Sequence, residues 1–482
     1  MKKIFKQFLF CTFFISGFLL CQNALAADIH ICDTTVCGQT PGDGSTWSNA
    51  LNDLPVSLVR GNTYYIADGN YSYHIFNDTE VSETYIYIKK ATASAHGSNT
   101  GWDNAFGDGQ AVWGTEIVST YEIGIRFRTG YYVFDGVAGL ENNSSSYGFA
   151  IVPTDPTKHQ YLIGIPMIGD SNYQLDHITV SHAAIVTSGE GTGVPTQVGI
   201  FSNSNALYPS TNIVISNNYF YNASVNILIR QAQNWTIRDN YFDGNWSSSD
   251  NHGEQISPAT SNNVFLYNNV FKDSSAFIVG AHNEAGGNTN WEVYNNIIFG
   301  NTGEFITAGF AMAESAESDG VISWQVHHNT FVDVVFSGRG AVFAGDLTDV
   351  NTQKSYAYNN LFFNCTRPSM SNLDKTLGGV VHDYNAYISS TEYTAATHNQ
   401  VDDDGSNPFV DSVNGDYAID ITADTANDAH VINTGLTLAS PYDVDYIGTE
   451  RPAGSGFDIG AYEYVGASDV VAPASPTGLS VQ

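Results

Sequence analysis

The chain has 482 residues, with 17 Lys and Arg against 49 Asp and Glu and a formal net charge of −32 at pH 7. Such an acidic excess disfavours nucleic acid and anionic membrane as partners, because both are held by basic patches. It also weakens direct capture of an acidic polysaccharide, which would need bridging Ca²⁺ or a local basic cluster.

In chain order, Met1 to Ala26 reads as a secretory signal. Lys2, Lys3 and Lys6 form the basic start, Phe8 to Leu20 the apolar centre, and Ala24-Leu25-Ala26 a cleavage site. The apolar run is too short for a membrane span, so a secreted or cell-surface protein is expected, with no membrane insertion after cleavage. Leu20 is not the small residue a lipidated Cys21 requires. Cys32 and Cys37 flank a short loop that an oxidising compartment can close as a disulfide. Cys365 is left over and is expected buried at a turn. Residues 27–110 read as an N-terminal cap and first coils. Within them Thr40 to Leu51 predicts a turn and short helix capped by Ser45, Thr46 or Ser48.

Residues 111–390 carry repeats, and from Asn212 to Ile388 one phrase recurs: a β-prone run, an Asn, an aromatic, then a polar turn. It reads Asn217-Asn218-Tyr219-Phe220, Asp239-Asn240-Tyr241-Phe242, Asn268-Asn269-Val270-Phe271 and Asn295-Asn296-Ile297-Ile298-Phe299. His328-Asn329-Thr330-Phe331, Asn359-Asn360-Leu361-Phe362 and a weaker Tyr384-Asn385-Ala386-Tyr387 follow. The second positions lie 22, 29, 27, 33, 31 and 25 residues apart. Such a period marks a solenoid, and the two-residue alternation between the copies is strand chemistry. A propeller blade needs about 40 residues, and no helical pattern fits between the copies. The expectation is an all-β, single-stranded parallel β-helix, right-handed by the crossover rule, with caps at both ends. Stacked coils would set each Asn above the next as a hydrogen-bonded ladder, with the following aromatics stacked in the core.

Residues 391–466 break the pattern and read as a C-terminal capping segment. Residues 467–482, with Ala472-Pro473-Ala474-Ser475-Pro476, read as a linker or tail. Its Pro476-Thr477-Gly478-Leu479-Ser480-Val481 is how a fibronectin-type-III-like module often begins.

Three stretches resemble one family. Asp43-Gly44-Ser45-Thr46-Trp47-Ser48-Asn49-Ala50 and Gly61-Asn62-Thr63-Tyr64-Tyr65-Ile66-Ala67-Asp68-Gly69-Asn70-Tyr71 are similar to the N-terminal segments of exported right-handed β-helix proteins of the pectin-lyase-like superfamily. Arg451-Pro452 with Asp458-Ile459-Gly460-Ala461-Tyr462-Glu463 resembles their closing segment. The resemblance covers about residues 28 to 464 and implies the fold. Caps carry no chemistry, so it says little of the activity.

The densest polar set lies between Phe220 and Phe310. His252-Gly253-Glu254 and His282-Asn283-Glu284 each place a Glu two residues after a His, on one face of an extended strand. A His there is a candidate general base. The Glu is a candidate to orient it, to ligate Ca²⁺ together with Asp250, or to neutralise a uronate carboxylate when protonated. Arg230 offers a forked guanidinium to a substrate carboxylate and should stand level with Ala259, Ala281 and Gly309. Catalytic candidates are therefore His252, Glu254, Arg230 and His282. Glu284, Lys272 and Trp246 are substrate-binding candidates. The structural alternative is that the Glu residues face water and the His residues satisfy turns. If Ile256 points inward, simple alternation sends Glu254 inward too, unless the strand bends at Gly253. His327 and His328 flank the Asn329 turn as weaker candidates.

The resemblance implies three mechanisms. The pectate-lyase pattern is echoed by Leu175-Asp176-His177, without its supporting Arg-Pro motif. The alginate and chondroitin lyase pattern, a Lys base and Arg acid beside Ca²⁺-binding Glu residues, is similar at His252-Gly253-Glu254-Gln255-Ile256. Lys272, however, is read after the turn Asn rather than on a strand. Of the polygalacturonase pattern only His252-Gly253 matches. The expected function is a polysaccharide lyase cleaving uronate-containing glycan by β-elimination, acting as a monomer, with Ca²⁺ as the one implied cofactor. The alternatives are a non-catalytic glycan-binding adhesin and a glycoside hydrolase.

Overall fold

The computed structural model describes residues 26–139, 142–167, 170, 173–189, 196–246, 253–275, 277–280, 287–300, 322–336, 342, 355–366, 368, 380–392, 395–402, 406–420 and 430–466. The strands follow one another around a coil and then repeat one level on. Among the described residues they form three long sheets. The first has twelve strands, from Asp28–Ile31 to Val380–Asp383, and the second twelve, from Gly69–Tyr71 to Gln400–Asp402. The third runs from Ile75–Phe76 to Phe277–Val279. Pairing along each sheet is parallel, and one short antiparallel strand, Glu116–Val118, adds to Tyr121–Phe127. This is a right-handed parallel β-helix. No helix among the described residues is long and apolar enough to cross a membrane.

The Asn ladder forms as the repeats require. Asn218 Nδ2 donates to Asn240 Oδ1 at 3.0 Å, Asn240 to Asn269 at 3.0 Å and Asn269 to Asn296 at 3.1 Å. It continues from Asn296 to Asn329 at 2.9 Å, to Asn360 at 3.0 Å and to Asn385 at 3.0 Å. Each of these Oδ1 atoms also accepts a backbone N–H, as Asn269 Oδ1 does from Asn240 at 3.0 Å. A buried turn thereby meets its polar groups without water. Inside the coil Phe220, Phe242 and Phe271 stack at 4.7 and 4.6 Å, and Trp291 lies on Trp324 at 4.5 Å. Such stacking adds about 0.5–1.5 kcal/mol per pair to the burial itself.

At the N-terminal end Cys32 and Cys37 are disulfide-bonded, and Trp47–Asn49 is a single 3₁₀ turn entered from Thr46 without a side-chain cap. Cys365 is buried, its thiol against the carbonyls of Phe331 and Phe363. The C-terminal segment folds back on the outside of the second sheet. Arg451 and Glu463 pair at 2.9 Å with both side chains fully buried, and Arg451 also donates to the carbonyls of Gly460 and Ala461 at 3.0 Å. The closing motif is therefore a lock: Ala461 N–H donates to Thr330 Oγ1 at 2.8 Å and ties it to the coils.

Candidate active site

The outer face of the third sheet is set by a bend in its strands. Ile125, Ile163, Ile200, Ile227 and Ile256 align along the sheet and are wholly buried in the core. Two residues earlier in each strand, Ile123, Tyr161, Val198, Val225 and Glu254 also align. Four of these five belong to a separate cluster with Phe201 and Met167, outside the main core. The residue between the two columns, Leu162 in one strand, is itself wholly buried in the main core. A Cβ on its neighbour Gly199 would lie 3.2 Å from Ile185 and Phe220 inside. Two successive residues thus point inward and the alternation breaks. The bend that turns Glu254 outward lies at Gln255, two residues beyond the Gly253 position expected. Asn226 Nδ2 holds it there, donating to Gln255 Oε1 and to the Gly244 carbonyl at 3.2 Å.

Glu254 begins the strand Glu254–Ala259 and is 2% exposed, with its side chain lying over Gly280. Arg230 ends the strand Val225–Arg230, level with Ala259 as expected, and is exposed. The two are one strand and five residues apart, about 17 Å between Cα atoms, so they cannot meet at one reacting atom. His252 and Asp250 lie outside the described residues, in the chain just before Glu254. His282 and Glu284 also lie outside them, just after Gly280, as do Ala281 and Gly309. Of the described candidates, Glu254 stands at the end of the third sheet's strands that follows the second sheet, and Arg230 at the end that leads to the first.

Lys272 does follow the turn Asn but is on a strand, contrary to expectation: it is the last residue of Val270–Lys272. The reason is that the phrase after the turn Asn is itself the second sheet's strand. Lys272 Nζ contacts Asp243 Oδ1 at 2.9 Å, and Tyr219 donates its hydroxyl to Asp243 Oδ2 at 2.8 Å. Burial works to lower the Lys272 pKa, but the hydrogen bond and charge of Asp243, with Asp273, outweigh it and hold the ammonium above its usual range. An ammonium so held is a fixed cation rather than a base. Trp246 is 5% exposed, and its N–H donates to the Asn222 carbonyl at 2.9 Å, so it fills the turn. His327 and His328 are structural: burial lowers both, His327 to about 3, and His327 stacks on Tyr358.

Sequence reasoning missed the floor between the two ends. Tyr161 and Phe201 pack at 4.9 Å on the outer face, near Arg230. Arg126 lies on the same face, in line with Phe201 across Gly164. Arg126 and Arg128 share Asp170, at 2.7 and 3.1 Å. No repeat phrase marks these residues. Only the parallel register sets Arg126 and Phe201 in line with Leu228, two residues before Arg230.

Among the described residues no group of three or more His, Cys, Asp or Glu side chains is placed to hold a metal ion. Calcium takes six to eight oxygens, and at this end of the sheet Glu254 is the one candidate ligand described. The described residues do not make a calcium site by themselves.

No protein-family model matches the chain, and no curated protein matches it in sequence. Solved structures do. Pectate lyase Pel9A superposes with a TM-score of 0.52 at 13% identity, over 91% of this chain and 97% of that one. A PL6-family polysaccharide lyase from Pseudopedobacter saltans gives a TM-score of 0.41 at 13% identity, over 81% and 96%. A GH136 lacto-N-biosidase from Eubacterium ramulus gives 0.38 at 12%, over 74% and 67%. The chain is a parallel β-helix protein of the pectin-lyase-like fold. At such identity the likeness shows the fold and not the activity.

Proposed function

We propose that the chain is an exported polysaccharide lyase that cleaves a uronate-containing glycan by β-elimination across the outer face of the third sheet. One observation supports this reading above the others. An outward, deeply buried Glu254 and an exposed Arg230 stand about 17 Å apart on neighbouring strands of the third sheet, a span of several sugar rings. Near Glu254, His252 removes the proton from C5 of the uronate, the C4–O bond breaks, C4 and C5 become doubly bonded, and the departing oxygen takes up a proton. Glu254 orients His252, or in its protonated form neutralises the reacting carboxylate. Arg230, too distant for that ring, grips the carboxylate of another ring with its forked guanidinium. Phe201 and Tyr161, on the strands beyond Arg230 from Glu254 and only 5% and 8% exposed, pack together beneath the face that the polymer crosses. Lys272 serves as a fixed cation and not as the base.

Each turnover creates an unsaturated uronate absorbing near 235 nm. The test incubates the mature chain with alginate, pectate, chondroitin, hyaluronan and ulvan, with and without Ca²⁺. A rise on one polymer supports the lyase and names the glycan. Reducing ends without absorbance would instead indicate a hydrolase. Silence on all, with the polymer still retained on the protein, would favour the second reading, a glycan-binding adhesin, which the Tyr161–Phe201 floor also suits.

A further inference from the structure

Each repeat phrase has two turn positions with different fates. The second, the Asn of the ladder, points inward. The first adopts the left-handed conformation, with φ of 55° at Asn217, 56° at Asp239, 53° at Asn268, 52° at Asn295, 54° at His328 and 58° at Asn359. These first positions form a second row beside the ladder. Over the later coils the chain's own C-terminal segment occupies that row. Asn295 Nδ2 donates to the Val444 carbonyl at 2.7 Å, the His328 ring lies 5.8 Å from Phe457, and Asn359 both donates to and accepts from the Leu436 backbone at 2.8 Å. Over the earlier coils Asn217, Asp239 and Asn268 instead line a cleft of about 690 Å³ between Tyr147 and Tyr446. The Asn268 Oδ1 atom is buried there with no hydrogen-bond partner among the described residues. A second cleft of about 450 Å³ shares Asn142 and Tyr446 and adds Tyr241, Tyr417 and Tyr462.

We infer that this double cleft is a second glycan-binding site, on the opposite side of the second sheet's strands from the core, and that it takes an uncharged oligosaccharide. Planar amides and a carboxylate suit paired sugar hydroxyls, and tyrosine rings suit the C–H face of a pyranose. The volume fits a short oligosaccharide. No Lys or Arg is among the described lining residues to grip a uronate carboxylate; Asp239 is already paired with Arg238, and Asp333 adds a carboxylate at the second cleft. A peptide occupant would need aliphatic pockets for its side chains. The larger cleft offers only Ile447, 68% exposed at its rim, and the aliphatic Val270, Ile297 and Val413 are confined to the smaller one. The site shares no residue with the proposed lyase machinery and stands or falls apart from it.

The test is titration calorimetry of the mature chain with cellohexaose, mannohexaose, xylohexaose and laminarihexaose. The same titrations are made on a double variant, Asn217→Gly with Asn268→Gly. Glycine removes both amides yet accepts φ near +55°, so the turns persist. The expected result is binding of at least one neutral hexasaccharide, weakened tenfold or more in the double variant, while activity on the uronate polymer and the melting temperature hold. A Tyr446→Ala variant should weaken the same sugar. If none of the four sugars binds the wild type, or if the double variant binds it equally well, the inference is overturned. If the double variant loses its melting temperature instead of binding, the row belongs to the fold and the inference is likewise overturned.

Discussion

Arg230 and Glu254 lie on neighbouring strands of the third sheet at opposite ends, Arg230 level with Ala259 and Glu254 level with Val225. On the lyase reading, substitution separates them kinetically. Arg230→Ala should raise KM by about 10- to 100-fold, the loss of a charge-assisted hydrogen bond of about 1.5–3 kcal/mol, with kcat changed little. Glu254→Gln should lower kcat by about 100-fold or more. Initial rates at 235 nm over a range of polymer concentrations decide it. Equal loss of kcat in both variants would mean that the two act on one ring.

Glu254 can also be displaced without changing it. A Cβ on Gly280 would overlap Glu254 Cγ and stand 2.8 Å from its Cδ and Oε1. Those atoms belong to a side chain that can swing, so Gly280→Ala should move Glu254 rather than unfold the coil. Turnover should fall as in Glu254→Gln, with far-ultraviolet circular dichroism unchanged. Full activity in Gly280→Ala would remove Glu254 from the reaction.

The paired turn positions predict opposite outcomes for neighbouring residues. Asn269 is wholly buried and bonds to Asn240, Asn296 and the Ile237 carbonyl, so Asn269→Ala leaves several buried groups unpaired. At about 1–3 kcal/mol for each, the melting temperature should fall by several degrees and amides of the adjoining coils should exchange faster. Asn268→Gly should change the melting temperature little, since φ at that residue is 53°. Equal destabilisation by both would contradict the division of the turn.

The C-terminal lock should respond to pH. Burial first, then the neighbouring Glu463, push the Asp458 carboxyl up to about 7. Its folded pKa lies above its unfolded value near 4, so folding takes up a proton. The stability this contributes is complete below about pH 4 and is lost as pH rises through 7. Asp458→Asn cannot ionise and should lose some stability at low pH, because Asp458 accepts the backbone N–H groups of Asn433 and Tyr464. The wild type's advantage over Asp458→Asn should therefore shrink between pH 5 and 8. Melting curves of both proteins across that range test it, and a constant difference would refute it.

What the sequence determined by itself was everything that repeats. The Asn positions, the stacked aromatics and the parallel β-helix were legible because each such residue needs only its own copy one coil away. The ladder from Asn218 to Asn385 is that local rule applied six times. The closing motif was legible too, though not that Arg451 and Glu463 meet inside it. Tertiary structure alone decided which way Glu254 faces. That depends on the two successive inward residues at Gln255, held by a side chain of the preceding coil, and two-residue alternation carries no sign of it. It alone decided that Glu254 and Arg230 stand at opposite ends of neighbouring strands, because a distance of about 17 Å follows from register and not from proximity in sequence. And it alone placed the C-terminal segment over half of the outward row and left the other half open, since that contact joins residues some 150 positions apart, as Asn295 and Val444 are.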